Sequence, residues 1–207
     1  MVLLTALFPM IRAQSSPQSE GPAPRTFRIL TVTSFVPGLK YDTSAGSKPT
    51  PLSISAQPFK AYPVPANNRL VLYREVPPPP DAPPGTLPRK QTVAEAELPS
   101  RVARVLVVVI PEGADREISY RLVVIDDDPA EHPAGKLRVI NFSKLDAAMG
   151  LNRDRHTVAA GRSIMVESGQ GGVLVQVAAH KGDRWQMVFR GERLGRGDTR
   201  DYGLVFD

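Results

Sequence analysis

The sequence predicts an all-β protein: an antiparallel β-sandwich, immunoglobulin-like or cupredoxin-like, of about ten strands. Three observations carry this prediction. Apolar and polar residues alternate between Leu137 and Asp207, which is the period of half-buried strands. The 207 residues include 21 Pro and 16 Gly, a content that suits turn-rich β structure and not helices. Ser143–Met149 alone has any helical flavour, and it reads equally as a loop and a short strand.

The chain opens with the apolar run Val2–Ile11, followed by Arg12, Ala13 and the polar stretch Gln14–Glu20. The run is too short to span a bilayer and resembles the end of a secretory signal peptide cut after Ala13, so residues 1–13 are expected to be a leader. An apolar first strand of a cytoplasmic protein is the alternative. Residues 14–24 are Ser, Pro, Gln and Gly with little to bury, which predicts a disordered linker. A single domain is expected over 25–207, in a periplasmic or secreted protein.

Within that domain Phe27–Thr33 is rich in β-branched residues and leads to Pro37-Gly38, a strand and a turn. Leu52–Ser55 and Leu70–Tyr73 are further strands. Prolines 77–80, 83, 84 and 88 favour a stiff, extended connection over 77–88. Val102–Ile110 is rich in β-branched residues and reads as a central strand buried on both faces; Pro111-Glu-Gly113 would turn it into Ile118–Ile125 as a hairpin. Lys136–Phe142, Ser163–Glu167, Val173–Ala179, Arg184–Arg190 and Tyr202–Phe206 complete the series, with no internal repeat legible. The alternation places Trp185, Met187 and Phe189 on one side of their strand. The expected core is Val105 to Val109, Leu122, Val124, Val175, Val177, Trp185 and Phe189.

Chemistry is less well specified. The net charge of +5 is spread along the chain and only 6% of residues are aromatic, which argues against nucleic acid as the partner. The absence of cysteine excludes disulfides, thiol catalysis and thiolate metal sites. Asp126, Asp127 and Asp128 are consecutive, but on an extended chain they point in alternating directions, unlike ligands converging on Ca²⁺. His132, His156 and His180 lack the short spacing of a zinc pair. Ser168–Gly172 lacks the order of a nucleophile elbow and reads as a glycine turn, and Arg196-Gly-Asp198 matches an adhesion tripeptide by chance. Arg190, Arg193, Arg196 and Arg200 form the one clustered positive segment, a candidate for binding an anion among Glu192, Asp198 and Asp201.

Lys136–Ser143, Val158–Ser163, Val173–Val177 and Trp185–Phe189 resemble a pattern of small exported bacterial β-sandwich proteins of unknown function, and more distantly the sandwich domains of the alginate O-acetylation accessory family. The resemblance covers Lys136 to Asp207, implies a non-catalytic sandwich and carries over no functional residue. The expectation is an exported, non-catalytic binding or scaffolding module without a cofactor or transmembrane segment, holding an envelope protein or an anionic glycan. The competing class is a carbohydrate-active or hydrolytic enzyme using Asp126 to Asp128 with His156 or His180.

Overall fold

Leu4–Phe8 forms strand β1, described by its backbone pairing alone; the computed structural model otherwise describes residues 24–32, 35–57, 60–112 and 119–206. The expected linker over 14–24 lies almost wholly outside the described residues. The protein is all-β. Among the described residues there are eighteen strands and no helix, and hence no helix long and apolar enough to cross a membrane. The sequence reading drew one domain over 25–207, whereas the structure gathers into two compact units: an N-terminal unit of Gln18–Asp128, and a C-terminal unit of Pro129–Asp207 with Met1–Pro17.

The N-terminal unit contains β2 (Thr26–Thr31), β3 (Phe35–Val36), β4 (Lys40–Tyr41), β5 (Thr50–Pro51), β6 (Ile54–Ser55), β7 (Ala61–Pro63), β8 (Arg69–Val76), β9 (Arg89–Glu97), β10 (Arg104–Glu112) and β11 (Ser119–Asp126). One sheet has the order β11-β10-β2-β7 and another β5-β4-β8-β9, with β3 paired to β6. Their facing residues form a single apolar cluster. At its centre Phe27 meets Tyr41 edge-on at 5.2 Å and stacks on Tyr62 at 5.5 Å, arrangements that rings prefer to a face-to-face sandwich. Burial, with Tyr62 adding to it, pushes the Tyr41 phenol up to about 12, and its hydroxyl donates to the Pro63 carbonyl at 3.0 Å. Val105 to Val109 are buried as expected, while Leu122 and Val124 are only partly buried against the cluster. Pro111 and Glu112, read as the start of a turn, are paired inside β10 opposite Tyr120 and Ser119, and Gly113 lies outside the described residues.

The C-terminal unit contains β12 (Lys136–Asn141), β13 (Ala147–Leu151), β14 (Asp154–Val158), β15 (Ser163–Glu167), β16 (Gly171–Lys181), β17 (Arg184–Gly195) and β18 (Asp201–Phe206), together with β1. Its sheets have the orders β1-β18-β12-β15 and β14-β13-β16-β17. The core between them is aliphatic, with Leu137, Val139, Met149, Val175, Val177 and Val205 buried. Ser143–Met149 forms no helix. Buried Asn141 shapes this stretch instead, its Nδ2 donating to the carbonyls of Leu145 (2.8 Å) and Val158 (2.9 Å) while its Oδ1 accepts from Ser143 N and Oγ.

Seven strands follow in the same order in both units: β2, β4, β5, β7, β8, β9, β10 match β12, β13, β14, β15, β16, β17, β18. Every pairing agrees in direction, including the parallel pairs β2–β10 and β12–β18. The residues agree too where the units begin, since Phe27-Arg28-Ile29-Leu30-Thr31 and Leu137-Arg138-Val139-Ile140-Asn141 share one burial pattern. Val32 N donates to Val109 O as Phe142 N does to Val205 O. The units are a topological repeat that the sequence conceals.

Candidate functional site

The two sheets of the C-terminal unit end on the same side in strands that each have one partner, β14 on β13 and β15 on β12. Between those edges lies a cleft of about 720 Å³. The β13–β14 turn that forms one end needs Asn152 in the left-handed region at φ 53°, a conformation Asn tolerates better than most residues. Asn152 is fastened to β16 twice, donating through its N to Leu174 O and accepting from Leu174 N, each at 2.9 Å. Leu151 and Val173 supply buried apolar walls, and Met165 is 39% exposed at the rim.

Asp154, Arg155 and His156 enter from β14, Glu167 from β15 and Lys136 from β12. Lys136 Nζ pairs with Glu167 Oε1 across β12–β15. Among the described residues His156 has no side-chain hydrogen bond or ion pair to either carboxylate. The surface is therefore mixed in charge over an apolar floor, bounded by two unpaired backbone edges.

The four arginines do not share one face. β17 extends to Gly195, so Arg190 and Arg193 belong to a strand and only Arg196 and Arg200 to the connection. Arg190 and Arg196 are exposed and Arg200 is half-buried. Arg193 turns inward: with 13% of its side chain exposed, it pairs with Asp201, 2% exposed. It also donates to the Ser168 carbonyl and to Ser168 Oγ (2.7 Å), while Ser168 Oγ donates to Asp201. The glycine turn makes room for this network, since a Cβ on Gly195 would stand 2.6 Å from Gly169 O. Ser168 thus serves as a buried link between Arg193 and Asp201.

The remaining candidates are also placed. Asp127 is buried and pairs with Arg28, Asp128 Oδ2 accepts from Ala103 N at 3.1 Å, and Asp126 Oδ1 accepts from Asp128 N at 2.9 Å, so the triplet ties the end of β11 to its surroundings. His132 is buried edge-on against Tyr202 at 4.5 Å, and its Nε2 lies 3.1 Å from Lys136 O. His180 is exposed on β16, 4.9 Å from the Trp185 ring. Among the described residues no group of three or more His, Cys, Asp or Glu is placed to hold a metal ion.

Trp185 departs from the expected core: it is 46% exposed and Met187 53%. The cause is a β-bulge. Val177 pairs with Phe189 but Ala178 with Met187, leaving Val188 as an extra residue that reverses the phase of β17. Phe189 therefore packs on the core while Trp185 and Met187 project with Ala178 and His180 from the opposite face.

The cleft itself was missed by sequence reasoning. Its signal is faint: Ile164 and Val166 are half-buried between exposed Ser163, Met165 and Glu167, the ordinary alternation of any edge strand. Comparison with known protein-family models and with curated proteins gives no match.

Proposed function

We propose that the protein is a non-catalytic binding module of the cell envelope and that its C-terminal cleft holds an extended segment of a partner protein. The observation that carries this reading is the pair of one-sided strands, β14 and β15, bordering one cleft with apolar walls. A free edge offers unpaired N–H and C=O groups in register, while pockets for alternate side chains supply selectivity. Each unit is read as an immunoglobulin-like or cupredoxin-like sandwich, supported by two face-to-face sheets over one apolar cluster. Export is supported by the apolar run and the Ala13-Gln14 boundary.

Peptides selected on the immobilised protein from a random library test the binding role. Winners should alternate apolar and polar residues and perturb the amide resonances of Asp154–Val158 and Ser163–Glu167, and Thr157→Trp should abolish their binding while the fold is kept. Perturbations confined to Arg190 and Arg196 would overturn the cleft reading in favour of an anionic ligand. That second reading rests on those two exposed arginines, and it predicts retention on a heparin or alginate column that falls steeply as salt rises.

A further inference from the structure

Strand β18 has the composition of an interior strand. Tyr202, Leu204, Val205 and Phe206 are all buried, and Val205 belongs to the C-terminal core. Strands at the end of a sheet ordinarily carry charge or proline, or are very short, because a bare apolar edge recruits another chain. β18 is flanked on one side by β12 and on the other by β1, in the register Leu4↔Phe206 through Phe8↔Tyr202.

In the N-terminal unit the same place beside β10 is filled by β11, the next strand along the chain. The C-terminal unit builds its seven matching strands in the same order but takes the eighth from Leu4–Phe8, at the opposite end of the sequence. This strand is therefore an insert, joined to its sheet by pairing rather than by a hairpin. The same residues read as part of a leader cut after Ala13, and such a cut would leave the β18 edge bare.

We infer that the outer edge of β18 is a strand-acceptor site that takes an extended, uncharged, apolar segment antiparallel to Asp201–Phe206. Leu4–Phe8 fills it in the intact chain; a segment of the same chemistry from another polypeptide fills it once residues 1–13 are removed or displaced. Main-chain hydrogen bonds hold the donor, and the apolar composition of β18 selects against charged donors. The site is separate from the cleft at β14 and β15.

The test uses the full-length chain with Leu4→Asp and Ala6→Asp, which should eject β1. Amide exchange should speed about tenfold or more in β18 and stay unchanged in β10. A synthetic peptide carrying Leu4–Phe8 between lysine tails should bind the variant with one-to-one stoichiometry and restore protection, whereas the same peptide with proline at the Ala6 position should not. Equal protection of β18 in variant and wild type, or no effect of the peptide, would overturn the inference. Should the variant fail to fold, the absence of cysteine permits a second measurement: Ala6→Cys with Leu204→Cys, and Thr5→Cys with Val205→Cys, each in the intact chain. One of two adjacent antiparallel pairs is the closer, non-hydrogen-bonded kind and should close a disulfide within the monomer. Free thiols in both variants would overturn the inference as well.

Discussion

Phe27 and Leu137 occupy the same place in two units of the same topology, each the first buried residue of the strand that runs parallel to the last of the seven. Around Phe27 the N-terminal unit gathers Tyr41 and Tyr62; around Leu137 the C-terminal unit gathers Met149 and valines. The connections differ as well. Between β5 and β7 the chain inserts β6, burying Leu52 and Ile54 in the core, and Ser53 N donates to Tyr62 Oη at 2.8 Å. Between β14 and β15 there are only Ala159–Arg162, and the cleft stands open. One set of pairings thus carries a core-filling strand in one connection and borders a cleft beside the other, and the connections rather than the strands make the difference.

Truncating the matched residues would test this comparison most severely. Phe27→Ala should cost about 4 kcal/mol and Leu137→Ala about 3, the larger ring leaving the larger cavity. Amide exchange should report each loss in the strands of its own unit, and uniform acceleration across both would contradict the division into two units.

Next in size are two buried ion pairs, Arg193–Asp201 in the C-terminal unit and Arg28–Asp127 in the N-terminal unit. Asp201→Asn leaves Arg193 without its carboxylate and breaks the link through Ser168, an expected loss of about 3 kcal/mol. Asp127→Asn should behave similarly through Arg28 in the N-terminal unit. Arg193→Ser falls in the same class and should lower the thermal transition, whereas Arg196→Ser should leave it nearly unchanged.

Much of this was legible in residue order. The valines of β10 can only be a buried strand, and the prolines over 77–88 do form a surface connection, which joins β8 to β9 with Leu87 82% exposed. Strands of two residues such as β4 and β5 were not legible, because so short a pairing has no period. Nor was the repeat: twelve residues, 77–88, separate β8 from β9, whereas Gly182-Asp183 suffices between β16 and β17, which erases any fixed spacing. The inward turn of Arg193 depends on Asp201 and Ser168, distant partners that no local pattern reveals.

A smaller effect separates the units by pH. Tyr73 Oη and Lys90 Nζ donate to Asp42 at 2.6 and 2.5 Å in the N-terminal unit. Burial works to raise the Asp42 carboxyl, but these hydrogen bonds and the Lys90 charge together hold it below the usual carboxylate range. A lowered folded-state value stabilises above the unfolded value of about 4, and that contribution is lost as pH falls through the folded one. Half of the Lys90 side chain is exposed, so screening limits the contribution to about 0.5 kcal/mol. Asp42→Asn should therefore lower the stability of the N-terminal unit at pH 7 and leave it unchanged near pH 2, measured by urea unfolding at both.

The smallest expected effect concerns Trp185, and it tests the bulge that distinguishes the face of β17 from a simple alternation. Were β17 a regular strand, Trp185 and Met187 would share the core-facing side with Phe189; with the bulge they stand on the opposite face, and Trp185 is 46% exposed. Trp185→Ser should therefore cost less than about 0.5 kcal/mol, where a core tryptophan would cost several. The chain has a single tryptophan, so its fluorescence reports this residue alone. Acrylamide should quench it efficiently in the native state, nearly as well as in urea. Deleting Val188 should remove the bulge and join Phe189 and Met187 in one regular ladder opposite Val177 and Ala178, leaving Trp185 opposite His180 and its quenching unchanged. A shielded indole in the wild type, or an indole whose quenching changes when Val188 is deleted, would mean that β17 keeps one phase along its length.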